Sequence, residues 1–426
     1  MKSVAIVGAG YVGLTTGICL AHLGNQVAFL ESDVAKIDML QRGTLPIFEP
    51  DLLDLYTRCT ASGHITVTDE PAKAIRDTKF TFLCVPTPQD EDGSADLGYI
   101  TAAVHSIREL LPSESFLVTK STVPVGSSHL VSELVNRPDI TILSSPEFLR
   151  EGSAVRDFMH PDRIVVGTPT QDAADEYLLL FADLPGERVV TDRSSAELIK
   201  YVSNCLLATR LSLVNDVAAF CEEIGANMSD VIRGVGLDAR IGKHFLDPGP
   251  GWGGSCLPKD LPALRVAAEK VGVVMPILTA AIDSNERAHK RVVDRVEKEL
   301  GGSLVGRRIG LMGLAFKANT NDSRNSPAIA VAKRFISRGA TVAAYDPVAA
   351  VPSDLRIEMF SSASAAAAHA DAIVFLTEWH QFSILDPYEI LNEMKGNLVL
   401  DTRNIIEHAE WRAAGFKVLC LGQGTF

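Results

Sequence analysis

A cysteine, a lysine, an asparagine and several carboxylates in this 426-residue chain stand in contexts that suit covalent and acid–base chemistry. Cys256 lies in Gly249-Pro250-Gly251-Trp252-Gly253-Gly254-Ser255-Cys256-Leu257-Pro258-Lys259-Asp260, twelve residues that hold four glycines and two prolines. Such a loop lets the backbone approach a ligand closely, and a cysteine just before a helix meets free N–H groups that favour its thiolate. Lys200 and Asn204 are four residues apart, hence on one face of a helix, and both can donate hydrogen bonds to a developing oxyanion. Glu147 and Glu151, within Ser145-Pro146-Glu147-Phe148-Leu149-Arg150-Glu151-Gly152, are candidate acids or bases. Taken singly, each of these residues also reads as an ordinary buried thiol or solvated charge; their grouping favours chemistry.

Gly8-Ala9-Gly10-Tyr11-Val12-Gly13 fits G-x-G-x-x-G between a strand-like and a helix-like stretch. Its glycines permit a tight turn and close approach of a pyrophosphate to a helix N-terminus. Glu31 ends the next strand-like run, where a carboxylate accepts from ribose hydroxyls and repels a 2′-phosphate, so NAD is expected rather than NADP. Lys36 is near enough to assist on the ribose side or to be a plain helix charge.

Elements must position these groups. Val4–Val7, Val27–Leu30, Phe80–Val85, Phe116–Lys120 and Ile164–Gly167 read as strands, separated by stretches long enough for helices, which implies a parallel sheet covered on both faces. The polar clusters Pro86-Thr87-Pro88, Ser121-Thr122-Val123-Pro124 and 145–152 then fall at or near strand ends, where ligands of open α/β sheets bind. From Ser194 to Gly225 the chain has no proline and no internal glycine, which predicts one long helix opening with a Ser194 cap and Glu197 three residues on. Helical segments follow at Ser229–Gly234, Lys259–Val271 and Pro276–Leu300. From Ser303 strands and helices alternate again (RIGLMGLA, SPAIAVAKRFISRG, TVAAYDP, ADAIVFLTE, NLVLDTR). Lys317, Arg324 and Arg403 there suit a second, phosphate-bearing ligand. The expected fold is α/β, with two Rossmann-like doubly wound parallel-sheet domains (1–193 and 301–426) joined by a long central helix and a helical region (194–300).

Composition bounds the function classes. Lys plus Arg is 40 against 53 for Asp plus Glu, a net charge of −13 with no basic block, which argues against a nucleic-acid partner. No run of about 18 apolar residues and no signal-peptide shape occur, so a cytoplasmic protein without a membrane partner is expected. The seven cysteines (Cys19, Cys59, Cys84, Cys205, Cys221, Cys256, Cys420) form no C-x-x-C pair, which speaks against a disulfide framework and a metal site.

Together GAGYVG, CVPTP, STVPVG, PEFLREG, the AELIKY…N helix, GGSCLPKD, GLAFKxNTxDxR and YDP, in this order and across essentially the whole chain, resemble the nucleotide-sugar 6-dehydrogenases of the UDP-glucose/GDP-mannose dehydrogenase family. The resemblance implies NAD-dependent four-electron oxidation of a sugar C6 alcohol to a carboxylate, with an N-terminal NAD domain, a central dimerisation region and a C-terminal domain that grips the nucleotide. It implies that Cys256 adds to an aldehyde intermediate to give a thiohemiacetal, which is oxidised to a thioester and hydrolysed. Lys200 and Asn204 would stabilise oxyanions, Thr122 and Asp260 would orient a water, and Glu147 or Glu151 would move protons. Glu147, Phe148, Leu149, Arg150, Glu151, Lys200, Asn204, Phe245, Leu246, Asp247, Pro248, Gly249, Gly253, Lys317 and Arg403 match the family's substrate contacts. Arg240 matches an arginine that reaches the substrate of the neighbouring subunit of a homodimer. Gly8, Gly10, Tyr11, Val12, Gly13, Glu31, Lys36, Thr87, Thr122, Glu151, Lys259 and Arg324 match its NAD contacts, and no metal is implied.

The segment Gly225 to Phe245 looks more like the UDP-glucose branch, so UDP-glucose is the expected sugar. The alternatives are the same reaction on dTDP-glucose, a UDP-N-acetylhexosamine or GDP-mannose, or a catalytically silent nucleotide-sugar or NAD-binding protein. Ser145, Trp252 and Leu257 depart from the family's usual Asn, Phe or Tyr, and Phe, all near the sugar. Trp252 either packs against the cysteine loop, the reading preferred, or narrows the pocket.

Overall fold

The computed structural model describes residues 2–352 and 355–423. The chain forms two compact units, Met1–Ser203 with Pro262–Val273, and Asn204–Leu261 with Val274–Phe426.

The first unit carries β1 (Ser3–Val7), β2 (Gln26–Leu30), β3 (Ile65–Thr68), β4 (Phe80–Leu83), β5 (Phe116–Thr119), β6 (Thr141–Ser144), β7 (Arg163–Gly167) and β8 (Glu187–Thr191) in one sheet of order β3-β2-β1-β4-β5-β6-β7-β8. Side chains alternate across it: Val4 and Ile6 of β1 enter one apolar cluster with Phe29, Phe80 and Phe82, whereas Ala5 and Val7 enter another with Leu30, Leu83 and Leu117. This is the expected α/β layering, with one departure. β1 to β6 are parallel, but β7 meets β6 antiparallel at Ser144 and Gly167, and β8 is parallel to β7. The helix between β6 and β7, Ala154–Met159, has six residues. β3, β6 and β8 are strands beyond those expected; β3 and β8 are edge strands, only partly buried, and lack a clean apolar run.

The long helix is Arg193–Ile224. Its cap is Asp192 rather than Ser194: the Asp192 carboxylate accepts from Ser195 N at 2.9 Å and Ser195 Oγ at 2.6 Å, which holds its pKa below the usual carboxylate value. Glu197 does not close a capping box. It accepts instead from Gly126 N (2.6 Å) and Ser128 N (2.8 Å), the orphan donors where helix Ser127–Val135 begins.

The second unit carries β9 (Arg308–Met312), β10 (Thr341–Tyr345), β11 (Ile357–Met359), β12 (Ala372–Phe375), β13 (Leu398–Asp401) and β14 (Lys417–Cys420), all parallel, in the order β11-β10-β9-β12-β13-β14. β11 and β14, again the edge strands, were not among the expected ones. The core of this sheet includes Ile309, Leu311, Val374, Phe375 and Leu400, with Phe335 of helix Pro327–Ser337 and Val292, Val293 and Val296 of helix Pro276–Glu299. The observed helices Met228–Gly236 and Leu257–Lys270 match the expected segments to within a few residues.

Candidate active site

In the first unit β1 runs into the glycine turn. Gly8 has φ +99°, and a Cβ there would lie 2.9 Å from the Cys84 carbonyl oxygen; a Cβ on Gly13 would lie 2.0 Å from that of Gly8. Only glycine fits at either place. A Cβ on Gly10 meets nothing within 4 Å, and helix Tyr11–His22 starts from it with no side-chain cap. Open space beside uncapped N–H groups is a cradle that fits a dinucleotide pyrophosphate. Val12 packs against the core.

Glu31, buried at the end of β2, accepts from Ala9 N (2.8 Å), Ser32 N (2.8 Å) and Asp33 N (3.0 Å), with Lys36 Nζ at 3.7 Å. Burial raises its pKa, but these N–H groups and the Lys36 cation outweigh burial and hold it below the usual value. A fixed carboxylate therefore stands at the turn. Glu31→Ala is expected to weaken NAD binding by about 10- to 100-fold, the worth of one or two charge-assisted hydrogen bonds. Titration of the variant with NAD by calorimetry checks this, and an unchanged Kd removes Glu31 from the ribose site.

The loop after β6 is tied to this turn by Glu49, a residue the sequence reading passed over. Its buried carboxylate accepts from the Tyr11 hydroxyl, Gly152 N (2.7 Å) and Ala154 N (2.7 Å). Burial and Glu49, with a further push from the Glu151 charge, raise the Tyr11 pKa. The ends of β4 and β5 are stitched by Thr87 Oγ1 donating to the Thr122 carbonyl (2.8 Å) and Ser121 Oγ to that of Val85 (2.6 Å).

Glu147 and Lys200 form a buried ion pair, Oε1 to Nζ 2.9 Å, and Glu147 Oε2 accepts from Leu149 N at 2.5 Å. The Phe148 ring has the Arg163 guanidinium at 3.7 Å and Lys200 Nζ at 5.5 Å. A second buried cation, Lys120, donates to the Pro146 carbonyl at 3.4 Å. Burial pushes its pKa down to about 8, against the pull of Glu147 and with the repulsion of Lys200. Two cations thus face one carboxylate, an excess of positive charge suited to a developing anion. Lys120 had been visible only as the last residue of an expected strand. Arg150 is exposed and held on Asp157 by Nη2 (2.5 Å) and Nε (3.1 Å).

In the second unit Asn204 and Lys259 converge on Asp260, which is fully buried. Asn204 Nδ2 donates to its Oδ2 at 2.6 Å and Lys259 Nζ to its Oδ1 at 2.7 Å. Helix Arg193–Ile224 thereby contributes Lys200 to the first unit and Asn204 to the second. Cys256 directly precedes helix Leu257–Lys270, its carbonyl accepting from Lys259 N (3.2 Å) and Asp260 N (3.0 Å). The seven cysteines form no disulfide, and six of them are buried whereas Cys256 is half-buried. Burial pushes Cys19, Cys84 and Cys205 up to about 12 and Cys420 to about 11, which disarms them.

The cysteine loop is packed without slack. A Cβ on Gly249 would lie 3.0 Å from the Arg403 guanidinium, and one on Gly253 2.2 Å from the Asn325 carbonyl oxygen. Trp252 is buried, its indole N–H on Ser212 Oγ at 2.9 Å, so it packs beneath the loop. Arg403 Nε donates to the Leu376 carbonyl (3.0 Å) and lies 3.2 Å from Glu378, and Lys317 lies 5.6 Å from the Phe316 ring. Leu246, Pro248 and Gly249 are buried, Asp247 is exposed, and Phe245 adopts φ +57°. Arg240 and Arg324, both exposed, pair with Asp238 and Asp322 of their own loops at 2.6 Å each. Among the described residues no cluster of His, Cys, Asp or Glu suits a metal ion, and no helix is long and apolar enough to cross a membrane.

Models of the UDP-glucose/GDP-mannose dehydrogenase family match the chain in three parts: the NAD binding domain over residues 2–184, the central domain over 194–287 and the UDP binding domain over 310–408. The chain is 40% identical over 433 residues to the UDP-glucose 6-dehydrogenase of Rhizobium meliloti (strain 1021), covering 99% of each. It is 39% identical over 432 residues to UDP-glucose 6-dehydrogenase TuaD of Bacillus subtilis (strain 168), covering 99% of this chain and 94% of that one. A solved UDP-glucose dehydrogenase from the hyperthermophilic archaeon Pyrobaculum islandicum superposes with a TM-score of 0.92 at 34% identity, over 100% of this chain and 98% of that one.

Proposed function

The chain belongs to the UDP-glucose/GDP-mannose dehydrogenase family and is an NAD-dependent oxidoreductase, and from that premise we propose that it oxidises the C6 hydroxyl of UDP-glucose to the carboxylate of UDP-glucuronate. The observation that carries the chemistry is Cys256, a half-buried thiol beside the Asp260–Asn204 pair where the six other thiols are buried. Gly8, Gly10, Tyr11, Val12, Gly13, Glu31 and Lys36 with Thr87, Thr122, Glu151, Lys259 and Arg324 would hold NAD, which would supply the hydride acceptor, twice per sugar.

The Cys256 sulfur bonds to the aldehyde carbon, its proton passing to the former carbonyl oxygen, to give a thiohemiacetal. Loss of a hydride from the carbon and of the hydroxyl proton leaves a thioester, and water replaces sulfur to give the carboxylate and a proton and restore the thiol. Asn204 has two amide N–H groups: the one on Asp260 fixes the plane, and the other is left to donate to an oxyanion. Lys200, the cation paired with Glu147, stabilises a developing oxyanion by its charge. Thr122 and Asp260 orient the attacking water, and Glu147 or Glu151 moves its proton. Lys317 and Arg403 neutralise the diphosphate, while Phe148, Leu149, Arg150 and the stretch Phe245 to Gly249 with Gly253 enclose the sugar and nucleotide.

Residues 1–193 then hold NAD, 194–300 form the helical and dimerising region, and 301–426 grip the nucleotide. A homodimer through the central helix is supported by Leu198, Val202, Leu206, Leu213, Phe220 and Ile224, exposed apolar residues repeating along it at multiples of a helical turn. Arg240 would reach the partner's substrate. The second reading, the same oxidation of another nucleotide sugar, rests on the family's breadth; retention of Cys256, Lys200, Asn204 and Asp260 together opposes a silent binding protein.

The test is NADH formed to completion with excess NAD and limiting sugar. Two NADH per UDP-glucose are expected. One per sugar would overturn the thioester course, and two with GDP-mannose but none with UDP-glucose would move the specificity.

A further inference from the structure

The loop that ends in Cys256 is rich in glycine, and a flexible loop places a nucleophile poorly unless something removes its freedom. Asn285, on helix Pro276–Glu299, grips the backbone of Trp252 from both sides: its Oδ1 accepts from Trp252 N at 2.7 Å, and its Nδ2 donates to the Trp252 carbonyl at 3.0 Å. The Trp252 indole donates to Ser212 Oγ at 2.9 Å, and Ser212 commits its own hydroxyl proton to the Ala281 carbonyl at 2.8 Å. The hydroxyl oxygen is thereby oriented to accept, and the two bonds polarise each other. Trp252, Ser212 and Asn285 are all buried.

Little slack separates this clasp from the sulfur. Gly253 lies against the Asn325 carbonyl and Pro327, and Gly254, at φ +86°, lies against the Phe316 ring. Beyond them the Cys256 carbonyl is held by the first N–H groups of its helix. A shift at Trp252 is therefore carried to Cys256 rather than absorbed.

We propose that Trp252, Ser212 and Asn285 are positioning residues for Cys256, and that the indole N–H to Ser212 bond sets the placement of the thiol for attack on the aldehyde. This rests on the reading that Cys256 carries the second oxidation. The first oxidation, of the alcohol, does not use the thiol, so loosening the clasp should divide the two halves of the reaction. A residue that merely stabilised the fold would depress both together.

Trp252→Phe keeps a ring and removes the N–H; Ser212→Ala removes the acceptor and keeps the indole. Each is expected to lower acid formation about tenfold, in keeping with a small misplacement of a reacting group, while hydroxylamine traps sugar aldehyde that the unaltered enzyme does not release. The KM for NAD should stay within about twofold. The double variant should be no worse than Trp252→Phe, because the second change removes a bond already lost. Should Trp252→Phe fold poorly, Ser212→Ala carries the same test. No trapped aldehyde from either variant, or additive losses in the double one, overturns the proposal. The unaltered enzyme run alongside separates the two ideas: one NADH per sugar there overturns the thioester reading itself, whereas two NADH there with unaltered variants overturns only the clasp.

Discussion

Cys256→Ala forms no UDP-glucuronate: acid production falls by about three orders of magnitude or more, the usual consequence of removing a covalent nucleophile. The expectation rests on the absence of a substitute. Cys221, the thiol nearest along the chain, is buried, and so is Cys205, with its pKa pushed up to about 12 by burial and by the Asp260 charge. NAD affinity should stay within about twofold, since the glycine turn and Glu31 are built from β1, β2 and their loops and the substitution leaves Lys259 in place. Product analysis by chromatography, paired with an NAD titration, checks both halves. Cys256→Ser refines the result, because a hydroxyl in the same place is a far weaker nucleophile at neutral pH. Normal acid formation by the alanine variant would sink the covalent course, and lost NAD binding would show that the loop supports the cofactor site.

Lys200→Met is expected to injure both stability and catalysis. The lysine and Glu147 are buried together, with side chains 4% and 6% exposed, so its loss strands a carboxylate in the interior. Breaking a buried pair in this way costs about 3–5 kcal/mol. Lys120 remains nearby as a second cation, which places the loss toward the lower end, and a fall of about 10 °C in Tm follows for a unit of about 200 residues. With Lys200 gone, its repulsion no longer depresses Lys120, whose pKa rises from about 8. Catalysis should fall about 100- to 1,000-fold through the lost oxyanion donor. Adding Glu147→Gln removes the stranded charge and should restore most of the Tm without restoring turnover. Calorimetric melting and initial rates on the two variants separate these effects; an unchanged Tm in Lys200→Met would mean that the Lys200–Glu147 pair does not stabilise the fold.

Much of the site was legible because its chemistry is local. G-x-G-x-x-G, the glycine-rich cysteine loop and the Lys200 to Asn204 spacing each concern residues within a turn or two of one another, so chain order alone shows them. The strands that were read correctly are central and apolar; β3, β8, β11 and β14 lie at edges, where one flank lacks a partner and the pattern weakens. The reversal of β7 rests on the pairing of Ser144 with Gly167, which chain order does not show. Glu197 looked like half of a capping box and instead closes a helix start about seventy residues earlier.

The sequence by itself determined the α/β layering, the dinucleotide turn and the residues able to do chemistry, since backbone sterics and hydrophobic period act over a few residues. Only the tertiary structure decided that Glu49 joins Tyr11 to Gly152, 103 residues away, and that Lys120 adds a second buried cation beside Glu147. It alone decided that Asp260 orients Asn204, and that Trp252 hangs from Ser212, 40 residues earlier. A carboxylate, a lysine or an indole looks the same in sequence whether solvated or buried. Its role is set by the low dielectric and the partners that folding brings to it, and those come from distant parts of the chain.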